Sequence, residues 1–179
     1  MLLNNLGYVE DESGHYARAA ALHEESLALK RVLGDQRGVA YSLTNLGRVA
    51  HHRGDLARAA TLHDQSVALL RRLGDRHNLA RALNKLAEVV QAQGDDARVA
   101  SLLEESLALK RELGDRQGIA ASLILLGALA ARGHDDRRAA QLFQESLALS
   151  RELGDQRGID AALRELSVGR RGAAHTPRP

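Results

Sequence analysis

One string recurs in register down this chain. ESLALKRVLGD closes at Asp35, QSVALLRRLGD at Asp75, ESLALKRELGD at Asp115 and ESLALSRELGD at Asp155, an interval of 40 residues each time. A block that short cannot bury a hydrophobic face by itself, so each copy must cover its neighbour and the chain must fold as a stacked array. A second glycine sits between these strings, at Gly14, Gly54 and Gly94, with Gly133 displaced by one residue in the fourth block.

The Gly-Asp step explains how each block is built. Glycine takes the left-handed conformation that ends a helix. Aspartate then caps the next helix by accepting a backbone N–H, and its charge suits the positive end of the helix dipole. Gly54-Asp55 and Gly74-Asp75 therefore each end one helix and begin another, giving two helices, A and B, per block. In the second block, helix A is expected at about residues 36–53 and helix B at about 55–73. The apolar spacing agrees: Leu43, Leu46, Gly47 and Ala50 fall on one face of helix A, and Ala59, Leu62, Ser66, Leu69 and Leu73 on one face of helix B. Small residues at Gly47 and Ala59 are expected to let the paired backbones approach closely. The units are read as approximately 1–34, 35–74, 75–114 and 115–154, a capping half-repeat at 155–168 and a disordered tail at 169–179. In the half-repeat, Leu163 and Leu166 match the core positions of helix A.

Composition narrows the function classes. The four aromatics are Tyr8, Tyr16, Tyr41 and Phe143, so Leu and Ala must fill the interior. Formal charge is +2 with acids and arginines interspersed, a solvated surface without the basic footprint of a nucleic-acid binder. Cysteine is absent, which removes disulfides and thiolate chemistry. No apolar run approaches the roughly 18 residues of a membrane span, and MLLNNLGYVEDES is not a signal peptide. The expected residence is cytoplasmic. Arginine outnumbers lysine 22 to 3, which fits a GC-rich bacterial source.

Catalytic and metal-binding patterns find no support. His51 and His52 are adjacent and point about 100° apart on a helix. His23 and His63 are repeat equivalents, too far apart for one metal ion, and are expected to pack. Ser26, Ser66, Ser106 and Ser146 recur at one internal position and read as small packing residues. There is no phosphate loop, no acid–base pair and no HExxH zinc motif. No enzyme activity, cofactor or metal is expected.

The Leu-x-x-Leu-Gly stripe of helix A, the Gly-Asp turn, and the alanine and small residue of helix B resemble the tetratricopeptide repeat (TPR) over roughly residues 1–168. The 40-residue unit departs from the common one of about 34. It is similar to the long-helix variety in kinesin light chains and Pins-type adaptors, and to the TPR portions of bacterial ATPase-type transcriptional regulators. The resemblance implies an all-α solenoid with a right-handed superhelix, whose concave wall of A helices binds a protein or peptide. Carried over position by position, that wall comprises Asn4, Asn5, Tyr8 and Asp11; Tyr41, Thr44, Asn45, Arg48, His51 and His52; Arg81, Asn84, Lys85, Glu88 and Gln91; and Ala121, Ile124, Leu125, Ala128 and Ala131. The partner contacts it implies are Asn5, Tyr8, Tyr41, Asn45, Arg48, His52, Arg81, Asn84, Lys85, Glu88, Ile124 and Leu125.

Amide side chains at Asn5 and Asn45, about 10 Å apart, match about three residues of extended peptide. Arg48, Arg81 and Lys85 are expected to meet carboxylates. The expected function is a protein-interaction scaffold in signalling. The alternative is a structural or sensory segment of a larger regulator, acting through intramolecular or self-association contacts. Two features favour that alternative. Met1 aligns with Tyr41, so the first helix lacks its cap and a covering neighbour. Helix A of the fourth unit, ASLILLGALAAR, is apolar nearly all round.

Overall fold

The computed structural model describes residues 2–173, with side chains through 167. Among the described residues, the chain forms nine helices: α1 (Leu2–Glu12), α2 (Tyr16–Val32), α3 (Gln36–His52), α4 (Leu56–Leu73), α5 (Arg76–Gln93), α6 (Asp96–Leu113), α7 (Arg116–Arg132), α8 (Asp136–Leu153) and α9 (Gln156–Ala173). Odd-numbered helices are the A helices and even-numbered ones the B helices. The fold is an all-α solenoid of sequential helix pairs. It divides into two compact units, Met1–Leu102 and Leu103–Pro179. In the first, α1 packs on α2, α2 on α3, α3 on α4 and α4 on α5. In the second, α7 packs on α8 and α8 on α9.

The turns are made as the Gly-Asp step dictates. Asp35, Asp55, Asp75, Asp95, Asp115 and Asp135 each accept the backbone N–H three residues on, at 2.8–3.2 Å. The turn before α2 has His15 at the cap and makes no such bond. The α7–α8 turn corrects one expectation. Gly133 has φ −79, and the left-handed residue is His134, at φ 60. The shifted glycine leaves a Cβ-bearing residue where it is disfavoured.

The helix A stripe is the core of both units: Leu43, Leu46, Leu83, Leu86, Leu123 and Leu126 are all buried. Gly47 has a different role from the one expected. A Cβ there would lie 2.7 Å from the His63 ring, and a Cβ at Gly7 the same distance from His23. Each glycine makes room for an imidazole laid flat against helix A. In the second unit Phe143 fills the same space against Gly127, where a Cβ would come within 2.5 Å of the ring. The recurring serine also does more than fill space, since Ser66 Oγ donates to Ala40 O at 2.9 Å and Ser146 Oγ to Ala120 O at 2.8 Å. It ties helix B to the backbone of its partner.

One core assignment changes: Leu163 is 44% exposed, and among the described side chains of α9 it is Ala162 that is buried. Among the described residues no helix follows α9 to cover the Leu163 face. Helix α9 also runs on to Ala173, past the boundary expected at 168, while residues 174–179 lie outside the described residues.

Candidate functional site

Stacking α1, α3 and α5 side by side in the first unit lines up their faces opposite the core stripe. The lined space is a groove of about 620 Å³, bordered by Tyr8 and Glu12 of α1, Tyr41, Thr44, Asn45, Arg48 and His52 of α3, and Asn78, Arg81, Asn84, Lys85 and Glu88 of α5. Leu70 and Ala82 complete its floor. The 40-residue repeat puts Tyr41 and Arg81, and likewise Thr44 and Asn84, at equivalent positions on neighbouring A helices.

Several of these side chains hold one another. Asn45 Nδ2 donates to Asn4 Oδ1 at 2.9 Å, so the amide of α3 is engaged by α1. Asn5 is exposed and does not border the groove. The pairing of Asn5 with Asn45 on a peptide is therefore replaced by a hydrogen bond between Asn4 and Asn45. Arg48 is likewise occupied. Its Nη2 lies 2.9 Å from Asp11 Oδ2 and its Nη1 2.9 Å from Glu12 Oε1. Its guanidinium also sits 4.5 Å from the centre of the Tyr8 ring. Asp11 is fully buried and also meets His52 Nδ1 at 2.9 Å. A buried carboxylate is tolerated only when paired, so this cluster fastens α1 to α3. Lys85 is taken up by Glu88, with both carboxylate oxygens at 2.9 Å.

What remains unengaged is specific. Arg81 is exposed, and among the described residues its side chain has no ion-pair or hydrogen-bond partner. Asn84 Oδ1 is shielded from water and has no partner. A buried acceptor left unmade costs about 1–3 kcal/mol. Tyr8 and Tyr41, half exposed, border the same groove with amphipathic rings. Beneath the groove, His23 and His63 are fully enclosed, and burial first, then the nearby cations Arg48 and Lys85, push both imidazoles down to about 4.

Ile124 and Leu125 belong to the second unit and do not border this groove. Ile124 is half-buried and Leu125 is 38% exposed on α7.

Reading the sequence alone passed over Glu12, Asn78 and the floor of Leu70 and Ala82. Glu12 was findable, since it lies one helical turn beyond Tyr8 on the same face. Also missed was an ion-pair ladder on the B helices. Arg58 reaches Glu24 at 2.9 Å and Arg98 reaches Asp64 at 2.8 Å in the first unit, and Arg138 reaches Glu104 at 2.9 Å in the second. The separation is 34 residues in every case.

Two family models, both described as tetratricopeptide repeat, match residues 38–112 and 1–36. The chain is a tetratricopeptide repeat protein. Solved TPR-type structures superpose on it at low identity. BtubC (BKLC) from P. vanneervenii has a TM-score of 0.76 and 18% identity, covering 99% of this chain and 82% of that one. The TPR-like repeats of a Podosopora anserina protein of kinesin light chain type give 0.81 and 18%, covering 96% and 85%. The apo form of RapI gives 0.85 and 13%, covering 96% of this chain but 48% of that one. At such identities the likeness speaks for the fold alone. No curated protein matches the sequence. Tetratricopeptide repeats serve generally as protein-interaction modules, and no enzyme family is matched. Among the described residues, no helix is long and apolar enough to cross a membrane and no group of His, Cys, Asp or Glu is placed to hold a metal ion.

Proposed function

We propose that the α1–α3–α5 groove of this TPR array holds an extended segment of a protein partner, in a binding and not a catalytic role. The observation that carries this is the pairing of Arg81 with Asn84 at the groove floor and rim: one unengaged cation beside one unsatisfied, water-shielded carbonyl. A peptide supplies both complements, a backbone N–H for Asn84 Oδ1 and a carboxylate for Arg81. Because Arg48 and Lys85 are neutralised by groove carboxylates, selectivity for an acidic residue falls to Arg81. The contacts offered by Tyr8, Tyr41 and His52 are then to the faces of partner side chains.

The test is selection of a random peptide library on the wild-type chain, followed by affinity measurement on variants. Selected peptides are expected to carry an acidic residue and to bind Arg81→Ala at least roughly tenfold more weakly, a loss of about 1.4 kcal/mol. Asn84→Ala is expected to weaken them as well. Binders that ignore both substitutions, with helicity intact, place the partner elsewhere.

A second reading, self-association, is favoured by one observation. Leu6 and Val9 on α1 are 45% and 57% exposed, while their equivalents Leu46 and Val49 on α3 are 4% and 2% exposed. Light scattering over a wide concentration range separates the readings: a constant monomer mass removes self-association through this face.

A further inference from the structure

The second unit contains a double clamp. Arg111, in the last turn of α6, reaches Glu145 of α8 at 3.2 Å, and Arg116, opening α7, pairs with Glu152 at the end of α8. The first pairing spans 34 residues and the second 36. The same positions can be read at each junction of the chain. For the first clamp they hold Arg31 and Gln65, then Arg71 and Glu105, then Arg111 and Glu145; for the second, Gln36 and Arg72, then Arg76 and Glu112, then Arg116 and Glu152. Only the junction of α2, α3 and α4 lacks a carboxylate at both. It also gains an arginine where the others have glutamate.

The consequence is a cleft of reversed character. It encloses about 650 Å³ and has a floor of Val39, Leu43 and Leu69, all buried. Its rim carries Arg31, Arg71 and Arg72, and no carboxylate lines it. Among the described residues, the side chains of Arg31 and Arg72 have no ion-pair or hydrogen-bond partner. Arginine in the last turn of a helix is favoured by the helix dipole, which accounts for Arg31 and Arg72 being tolerated there but supplies them no counterion. An apolar floor under two unpaired guanidinium groups, here those of Arg31 and Arg72, is how interfaces hold an anchor residue flanked by acids.

We propose that the α2–α3–α4 cleft docks an acidic segment of a partner protein, with an apolar side chain on Val39, Leu43 and Leu69 and carboxylates on Arg31 and Arg72. The cleft is distinct from the α1–α3–α5 groove and does not depend on that groove binding anything. Charge and floor together specify the occupant: an inorganic anion has no use for the apolar surface, and a neutral apolar segment leaves both arginines without partners.

The probe is a fluorescein-labelled synthetic peptide alternating paired glutamates with paired leucines, titrated with the whole chain and followed by anisotropy. Saturable binding is expected, weakening with salt. The decisive variant restores both clamps, Gln36→Arg with Gln65→Glu and Arg72→Glu. It uses the pairings found elsewhere in the chain, so it is expected to keep full helicity while binding the probe at least roughly tenfold more weakly. Arg31→Gln with Arg72→Gln is expected to match it, in the wild-type chain and equally on an Arg81→Ala background that removes the cation of the α1–α3–α5 groove. The proposal is overturned by absent saturation with the wild-type chain or by undiminished affinity in the clamp-restored variant. Equal affinity for a glutamine-for-glutamate peptide would reduce the cleft to apolar adhesion. Full displacement by millimolar inorganic phosphate would make it a small-anion site.

Discussion

The two units share one backbone plan and fill it differently. In Met1–Leu102 the space beside the helix A glycine holds His23 and His63, and the groove face of α3 and α5 is polar. In Leu103–Pro179 the equivalent space beside Gly127 holds Phe143, and the matching face of α7 presents Ala121, Ile124, Leu125 and Ala128. Both solutions pack, since each ring lies against a glycine. They differ in what they cost when conditions change. A phenyl ring is indifferent to protons, whereas a buried imidazole is stable only while neutral.

The largest expected effect uses that difference. His23 and His63 titrate near 6.5 when unfolded and at about 4 when folded. Between those values the unfolded chain binds more protons, so stability falls as pH drops from about 6.5 to about 4 and this contribution is constant below. The loss is on the order of 3 kcal/mol per histidine by pH 4. Hydrogen exchange across that range is expected to expose α1 to α4 before α7 and α8. Simultaneous loss of protection in both units would remove the distinction.

Next in size are the core leucines. Leu86→Ala is expected to cost about 2–5 kcal/mol in urea unfolding, against about 0.5 kcal/mol or less for Leu163→Ala on the exposed face of α9. A near-neutral Leu86→Ala would mean that the buried stripe is misplaced. Smaller again is Gly47→Ala, which overpacks the His63 ring and is expected to cost about 1–3 kcal/mol. Adding His63→Leu tests whether the two positions are coupled, because Ala87 and Leu103 occupy them in the third repeat. The double variant is expected to recover most of the loss and to flatten roughly half of the acid slope. The smallest effect concerns the irregular turn of the second unit. His134→Gly is expected to gain about 0.5–1 kcal/mol by relieving a left-handed Cβ, read as a raised melting temperature.

Helix boundaries were legible because they are local. The Gly-Asp step gave α3 and α4 to within two residues of their ends, and the stripe of Leu43, Leu46, Leu83 and Leu86 was already visible as a period. The groove was legible in outline, since repeat register alone puts Tyr41 beside Arg81. Which of its residues remain available was not. Arg48 is taken by Asp11 and Glu12, residues that have no acidic equivalent in the second repeat, where His51 and His52 stand. Such cross-repeat pairings depend on side-chain direction and on differences between copies, and periodicity averages those away. The His63 ring against Gly47 was hidden for a related reason: a small residue signals that something approaches, without saying whether backbone or ring fills the space.

The ladder of Arg58 with Glu24, Arg98 with Asp64 and Arg138 with Glu104 has a consequence for how such a chain changes length. Each of the blocks 35–74 and 75–114 brings its own plug and its own socket. Excising residues 35–74 would leave Arg98 facing Glu24, the same chemistry across the new seam. Copying that block would set the duplicate of Arg58 against Asp64. The blocks behave as interchangeable parts, and recombination can lengthen or shorten the series without redesigning a joint. Gln144, which stands where the earlier blocks place an acid, is the one socket in the series that offers no carboxylate to a further block.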